Sequence, residues 1–174
     1  MEQEETIIAE SYWVIPVRIM AVEYPSAREE KSARKRIHWL VRNKLNHFID
    51  LTEPGENDLP SYLSYLAQEE TITGLEITYQ QFPIENMRTP AHAHMRDILD
   101  AIDSALNAGK NIYLHCYGGI GRTGTVVGCY LVRHGMEGSQ ALKQIARLRV
   151  ETPGGWRISP ETYHQHTMVM DWKG

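Results

Sequence analysis

The chain has 174 residues, 42% hydrophobic and 23% charged, with a formal net charge of -4 at pH 7. That length suits one domain with a sizeable core, and the mixture is that of an ordinary globular protein. The mild acidity argues against a basic nucleic-acid binder or a polybasic membrane-surface protein, although a local nest of donors can still hold an anion.

Residues 1–10 (MEQEETIIAE) are acidic and lack the basic-then-apolar order of a signal peptide. Residues 1–11 are read as a flexible arm ahead of a domain over 12–174. Tyr12 to Val22, rich in Trp, Val and Ile, predicts one or two strands, with Pro16 marking an edge or a break. Ser26 and Glu29 have capping-box spacing ahead of the apolar stripe Ala33, Ile37, Leu40 and Val41, predicting a helix to about Asn46. The basic residues Arg28, Lys31, Arg34, Lys35 and Arg36 read as its solvated face. A short buried strand follows at 48–51, then a polar turn over 53–58. Pro60 fits the first turn of a short helix carrying Tyr62, Leu63 and Leu66.

Leu75, Ile77 and Tyr79 alternate with polar neighbours and predict a half-covered strand. After a loop from Phe82, Thr89-Pro90 reads as an N-cap and first helical position. The helix it opens carries Met95, Ile98, Leu99, Ile102 and Leu106 and stops at Gly109. A strand at 111–115 precedes a helix from about Arg122 to before Gly135. Another helix spans about 139–148, and Ser159-Pro160 reads as the opening of a last one. Helices between successive strands give an α/β fold, a mainly parallel central sheet flanked by helices. Ligands in such sheets bind beyond the carboxyl ends of the strands, where His115-Cys116 falls.

The segment His115-Cys116-Tyr117-Gly118-Gly119-Ile120-Gly121-Arg122-Thr123 carries the chemistry. Its glycines allow close approach by an anion, and successive backbone N–H groups of Tyr117, Gly118, Gly119, Ile120 and Gly121 can point inward beside a helix N-terminus. Arg122 offers a planar fork that matches two phosphoryl oxygens. In that field the Cys116 thiol reacts as thiolate. Cys116 is placed to attack phosphorus in line, leaving a thiophosphate that water then hydrolyses. The Thr123 hydroxyl sits where it can hydrogen-bond the sulfur, and His115 orders the loop. A buried cysteine in a plain glycine turn explains neither Arg122 nor the strand-to-helix placement.

These residues closely resemble the protein tyrosine phosphatase superfamily, whose pattern is His-Cys, five residues, then Arg and Ser/Thr. The compact chain is most similar to the dual-specificity branch. The resemblance covers roughly residues 12–172, including Phe82-Pro83-Ile84 and Ser159-Pro160-Glu161. It implies a cysteine phosphatase in which Cys116 is nucleophile, Arg122 binds phosphate, and the partner is a phosphorylated protein or a small aryl phosphate. Relatives acting on phosphoinositides often carry basic residues inside the loop, and here there is no lysine.

Relatives commonly place an acidic Asp after Pro-Ile and one residue, and here Asn86 holds that position after Glu85. An amide cannot act as the acid that an alkoxide leaving group needs. Glu85 is the first alternative and Asp97 a weaker one. A substrate with a good leaving group, needing no acid, is a third. Arg88 reads as a solvated arginine or a contact to a second anion, and Tyr24 and Tyr117 as the mouth of the pocket. A silent phosphoprotein-binding module is the competing function, with Asn86 its support; arsenate reduction or sulfur transfer is another.

No metal or cofactor is expected. His92/His94 and His164/His166 are i,i+2 pairs on different sides of a helix, and neither a Walker nor a dinucleotide motif is present. Cys129 reads as core, with a redox partnership to Cys116 as the lesser reading. Arg147 and Arg149 fit a helix C-terminus or an anion patch. Gln165 resembles a late glutamine of the same family. Two cysteines and no run of about 20 apolar residues predict a cytoplasmic protein without integral membrane contact. Oligomeric state is not encoded in any of these features.

Overall fold

The structure, a computed structural model, describes residues 8–174. Five strands form one sheet in the order β1-β2-β5-β3-β4. They are β1 (Ser11–Ile15), β2 (Ile19–Val22), β3 (His47–Asp50), β4 (Thr78–Gln81) and β5 (Ile112–His115). All pairings are parallel except that of the edge strand β1 with β2. Pro16 lies in the turn between those two strands, where its missing N–H costs no ladder bond.

The alternation of side chains along each strand divides the interior in two. Ile19, Ala21, Ile49, Leu51, Ile112 and Leu114 face a core built with helices α3 (His92–Asn107), α4 (Gly121–Arg133), α5 (Gly138–Leu148) and α6 (Tyr163–Met170). Met20, Val22, Phe48 and Tyr113 face the opposite core, closed by α1 (Glu30–Arg42) and α2 (Leu63–Thr73). The expected α/β architecture is present. Its central helix, α4, is buried from Gly121 through Leu131, which fixes the loop before it from behind.

Several boundaries differ from the sequence reading. Residues 8–11 are not a loose arm: Ile8 is buried in the second core and Ser11 opens β1. Residues 1–7 lie outside the described residues. Helix α1 starts at Glu30 with Glu29 as N-cap, and the Glu29 carboxylate accepts from the Ser32 hydroxyl at 2.5 Å instead of a backbone amide. It ends at Arg42, because Lys44 turns left-handed (φ 69°) into β3. Helix α2 runs to Thr73, with Pro60 ahead of it and Tyr62 at the N-cap. Strand β4 begins only at Thr78, so Leu75 and Ile77 pack from the connection. Pro90 precedes α3, whose N-cap is Ala91. Ser159-Pro160 does not start α6; Thr162 does, in a reciprocal capping box with Gln165.

Arg149 settles the question of a basic patch. Its side chain is 1% exposed and donates to the Arg157 and Gly154 carbonyls at 2.8 and 2.9 Å. Its other partner is the Glu10 carboxylate, at 3.5 Å, which also accepts from the Gly154 N–H. The residue ties the segment before β1 to the loop after α5, so it is a brace and not an anion site. Arg149→Leu is expected to cost about 3 kcal/mol by leaving Glu10 and two carbonyls without their donor. Urea unfolding of the two proteins measures that difference.

Candidate active site

Strand β5 ends at His115, and the chain from Cys116 to Arg122 turns directly into α4. Gly119 takes a left-handed φ of 70° here, and a Cβ on it would stand 2.6 Å from the Val22 carbonyl carbon. Only glycine fits that approach to β2. Two bonds pin the loop from outside: the Tyr24 N–H donates to the Tyr117 carbonyl at 2.9 Å, and the Ser159 hydroxyl to the Ile120 carbonyl at 2.7 Å. Among the described residues, the N–H groups of Tyr117 through Arg122 donate to no protein acceptor. Backbone donors are seldom left unanswered in buried places, and a row of them in a loop is the form of an anion nest.

Arg122 is 2% exposed at the foot of the loop. Glu56 meets it end-on: Nη1 and Nη2 donate to the two carboxylate oxygens at 2.7 and 2.6 Å. Nη1 also reaches the Ile84 carbonyl at 2.9 Å. These bonds leave Nε–H and the second Nη2 hydrogen, which share the side edge of the guanidinium, free for two further oxygens. Burial acts to raise the Glu56 carboxyl, but hydrogen bonds from Arg122 and the Glu53 N–H outweigh it and hold it below its ordinary value. Burial opposes the Arg122 charge as well, yet the Glu56 hydrogen bond raises it and the guanidinium stays ionised.

Glu56 is the residue that sequence reading passed over, as part of a polar turn. The turn is a 3₁₀ segment, Glu56–Asp58, entered through left-handed Gly55 (φ 75°). Asn57 and Asp58 are left-handed too, and the tight reversal sends the Glu56 side chain back to Arg122. A carboxylate followed by Asn-Asp after a glycine was the available signal, but it is equally the composition of a solvated turn.

His115 is fully buried. Its Nδ1 lies 3.2 Å from the Cys116 carbonyl, so that nitrogen carries the proton and donates, while Nε2 accepts from the Tyr62 hydroxyl at 2.6 Å. Burial keeps the ring below the ordinary imidazole range, against the pull of Asp50, whose carboxylate is 3.8 Å away. Asp50 is itself held by the Thr52 N–H and hydroxyl and by Tyr79. Tyr24, Tyr62 and Tyr113 pack around the imidazole ring. Thr123 departs from expectation: its buried hydroxyl has no hydrogen-bond partner among the described residues, Cys116 included.

The remaining expected residues are more scattered. Tyr117 is half exposed at the mouth, and Tyr24 lines the same cavity beside Gly118. Glu85 and Asn86 are exposed on the loop between β4 and α3, where the Glu85 carboxylate lies 3.6 Å from Arg88. With Met87, Arg88, Thr89, Thr162 and His164 they line an open cavity. Asp97 is exposed on α3 and has no bond to the loop among the described residues. Gln165 is buried; its carbonyl accepts from the Glu161 and Thr162 N–H groups and its amide donates to the Arg88 carbonyl at 3.2 Å. Cys129 is fully buried in α4, and burial pushes its thiol up to about 12, which fits core and not redox traffic. Both cysteines are free. His92 stacks on Trp172, and no group of three or more metal-ligating side chains occurs among the described residues. None of their helices is long and apolar enough to cross a membrane.

A fold and loop of this kind define the tyrosine and dual-specificity phosphatase class, and the comparisons agree. Residues 9–162 match the family model of the Swiss Army Knife protein DSP-PTPase phosphatase domain, and the chain belongs to that family. Over 149 residues it is 30% identical to the dual specificity protein phosphatase CDC14B of Mus musculus. That alignment covers 82% of this chain but 27% of the relative, so the chain spans about a quarter of that protein. Two crystal structures share the fold. One is Tk-PTP in its active form (TM-score 0.72, 23% identity, 92% and 93% of the two chains). The other is kinase associated phosphatase with its catalytic site cysteine replaced by serine (TM-score 0.74, 19% identity, 96% and 94%).

The His115 and Glu56 shifts set a pH dependence. Both groups have folded values below their unfolded ones, so each favours folding at higher pH. The contribution drains as pH falls below about 6.5 for His115 and below about 4.5 for Glu56. Urea midpoints measured from pH 8 to 4 are expected to decline in those two windows. Glu56→Ala leaves a buried Arg122 charge without its carboxylate and with carbonyl acceptors alone; it is expected to cost about 3 kcal/mol at pH 7 and to remove the lower decline.

Proposed function

We propose that this chain hydrolyses phosphate monoesters, on protein tyrosine or on other phosphorylated side chains, by covalent catalysis at Cys116. The observation that carries the reading is the row of unanswered N–H groups from Tyr117 to Arg122, closed by the free side edge of the Arg122 guanidinium and footed by Cys116. Such a cup matches the three equatorial oxygens of a phosphoryl group, with sulfur in line beneath phosphorus. The Cys116 thiolate forms the S–P bond as the ester bond breaks. Water then attacks the thiophosphate, returning the thiolate and releasing phosphate. Arg122 and the loop amides stabilise the charge that spreads over the equatorial oxygens in both steps.

His115 acts through the loop, since its Nδ1–H fixes the Cys116 carbonyl and its ring is closed off from solvent. Glu56 acts through Arg122. The half-exposed Tyr117 and the nearby Tyr24 offer aromatic walls to an aryl phosphate. A nucleophilic thiol suits a reducing compartment, and the proposal places the protein in the cytoplasm.

Rapid mixing with p-nitrophenyl phosphate tests the reading. A burst of nitrophenol ahead of phosphate is expected from the unaltered protein, and no turnover from Cys116→Ser. Arg122→Lys, which loses the fork, is expected to slow the burst by about 10²–10³-fold. Retained vanadate or phosphate binding without any turnover in the unaltered protein would replace this reading with that of a phosphoprotein-binding module.

A further inference from the structure

A phosphatase of this design needs a proton for the leaving oxygen, and Asn86 cannot supply one. The other carboxyls around the loop are mostly committed. Both oxygens of Glu56 are on Arg122, and both oxygens of Asp50 accept from Thr52 or Tyr79. Glu85 and Asp97 are exposed, with Glu85 facing Arg88.

Glu161 is different. It precedes α6, its side chain is 24% exposed, and Oε1 accepts from Arg157 at 2.6 Å. Oε2 accepts from no donor among the described residues and lies directly against Gly121. A Cβ on Gly121 would stand 2.6 Å from Oε2, and 3.3 Å from each amide atom of Gln165. The end of the Glu161 side chain therefore packs over Gly121, the last residue of the loop before Arg122. Its backbone is also fixed, because the Glu161 N–H donates to Gln165 Oε1 at 3.0 Å while Gln165 holds the Arg88 carbonyl. A carboxyl with one anchored oxygen and one free oxygen, its backbone fixed and its free oxygen against the Cys116–Arg122 loop at Gly121, has the form of an acid–base catalyst.

We infer that Glu161 is the proton-transfer residue of this site, an inference that rests on the Cys116 reading. In the first step the S–P bond forms, the P–O ester bond breaks, and the proton on Glu161 goes to the leaving oxygen. In the second, the Glu161 carboxylate takes a proton from water as the new O–P bond forms and the P–S bond breaks. Phosphate leaves, Cys116 is again a thiolate, and Glu161 again carries its proton. The charged and titratable groups on the elements around it are Arg157 on its own loop, Glu85 and Arg88 on the loop before α3, Tyr163, His164 and His166 on α6, Asp171 at its end, and Cys116 and Arg122 on the phosphate loop.

The test compares the unaltered chain with Glu161→Gln, Glu161→Asp, Glu85→Gln and Cys116→Ser, on p-nitrophenyl phosphate and on an alkyl phosphate, over pH 5–8. Glutamine keeps an oxygen for Arg157 but has no acid proton. Glu161→Gln is expected to lose at least about 10²-fold on the alkyl ester, to keep most of the nitrophenol burst, and to lose the basic limb of the rate–pH profile. Glu161→Asp, an acid drawn back from Gly121, is expected to fall between the two and to decide the matter if the glutamine variant does not fold. Wild-type rates in Glu161→Gln, or an equal loss on both esters with an unchanged pH profile, would overturn the inference. So would the same leaving-group dependence in Glu85→Gln alone. Turnover by Cys116→Ser at the wild-type rate would instead remove the Cys116 reading beneath it.

Discussion

Arg122 places a guanidinium almost wholly out of water, at the point where the sheet, α4 and the loop after β3 meet. An ionised group there is tolerable only when its hydrogens are answered, and Glu56 with the Ile84 carbonyl answers most of them. Their arrangement has a directional consequence. The carboxylate takes the end of the fork and the carbonyl a third hydrogen, which leaves the side edge without an acceptor among the described residues. The orientation of the guanidinium is therefore set by a residue distant in sequence, on a turn whose left-handed residues present it.

The same economy runs through the rest of the site. Helix α4 is buried along most of its length, so the loop that opens it cannot swing as a surface loop would. Bonds from Tyr24 and Ser159 hold the loop's carbonyls outward, which turns its N–H groups inward. Beneath, His115 is locked as one neutral tautomer between Tyr62 and the Cys116 carbonyl. The Cys116–Arg122 loop is thus braced on its flanks and from beneath. The Glu85–Arg88 side, where the sequence resemblance led us to expect an acid, is by contrast exposed and joined to the body through Gln165.

How much of this could be read from the sequence follows from how local each feature is. Cys116, the glycines and Arg122 are legible because each has a physical task at fixed spacing within one strand-to-helix turn. The sheet and its helices are legible from apolar periodicity. The start of α6 was displaced because Ser159 has another use: its hydroxyl serves the Ile120 carbonyl, and Thr162 three residues on is the cap. The pairing of Glu56 with Arg122 spans the sheet topology and leaves no periodic trace. Arg149 read as a helix-end cation or part of an anion patch, because its acceptors come from Glu10 and from the 154–157 loop, both outside its local sequence. The approach of Glu161 to Gly121 was hidden for the same reason, as a long-range contact with only a glycine to mark it.

The proposed covalent role of Cys116 would bind these features together, and an attempt to capture a phosphorylated Cys116 tests that proposal most closely. Protein mixed with p-nitrophenyl phosphate and quenched within milliseconds would be digested and analysed by mass spectrometry. A phosphoryl group on the peptide containing Cys116, appearing with the burst and decaying with phosphate release, is the expected result. Turnover at full rate with no phosphoryl adduct on Cys116 at any quench time would contradict it.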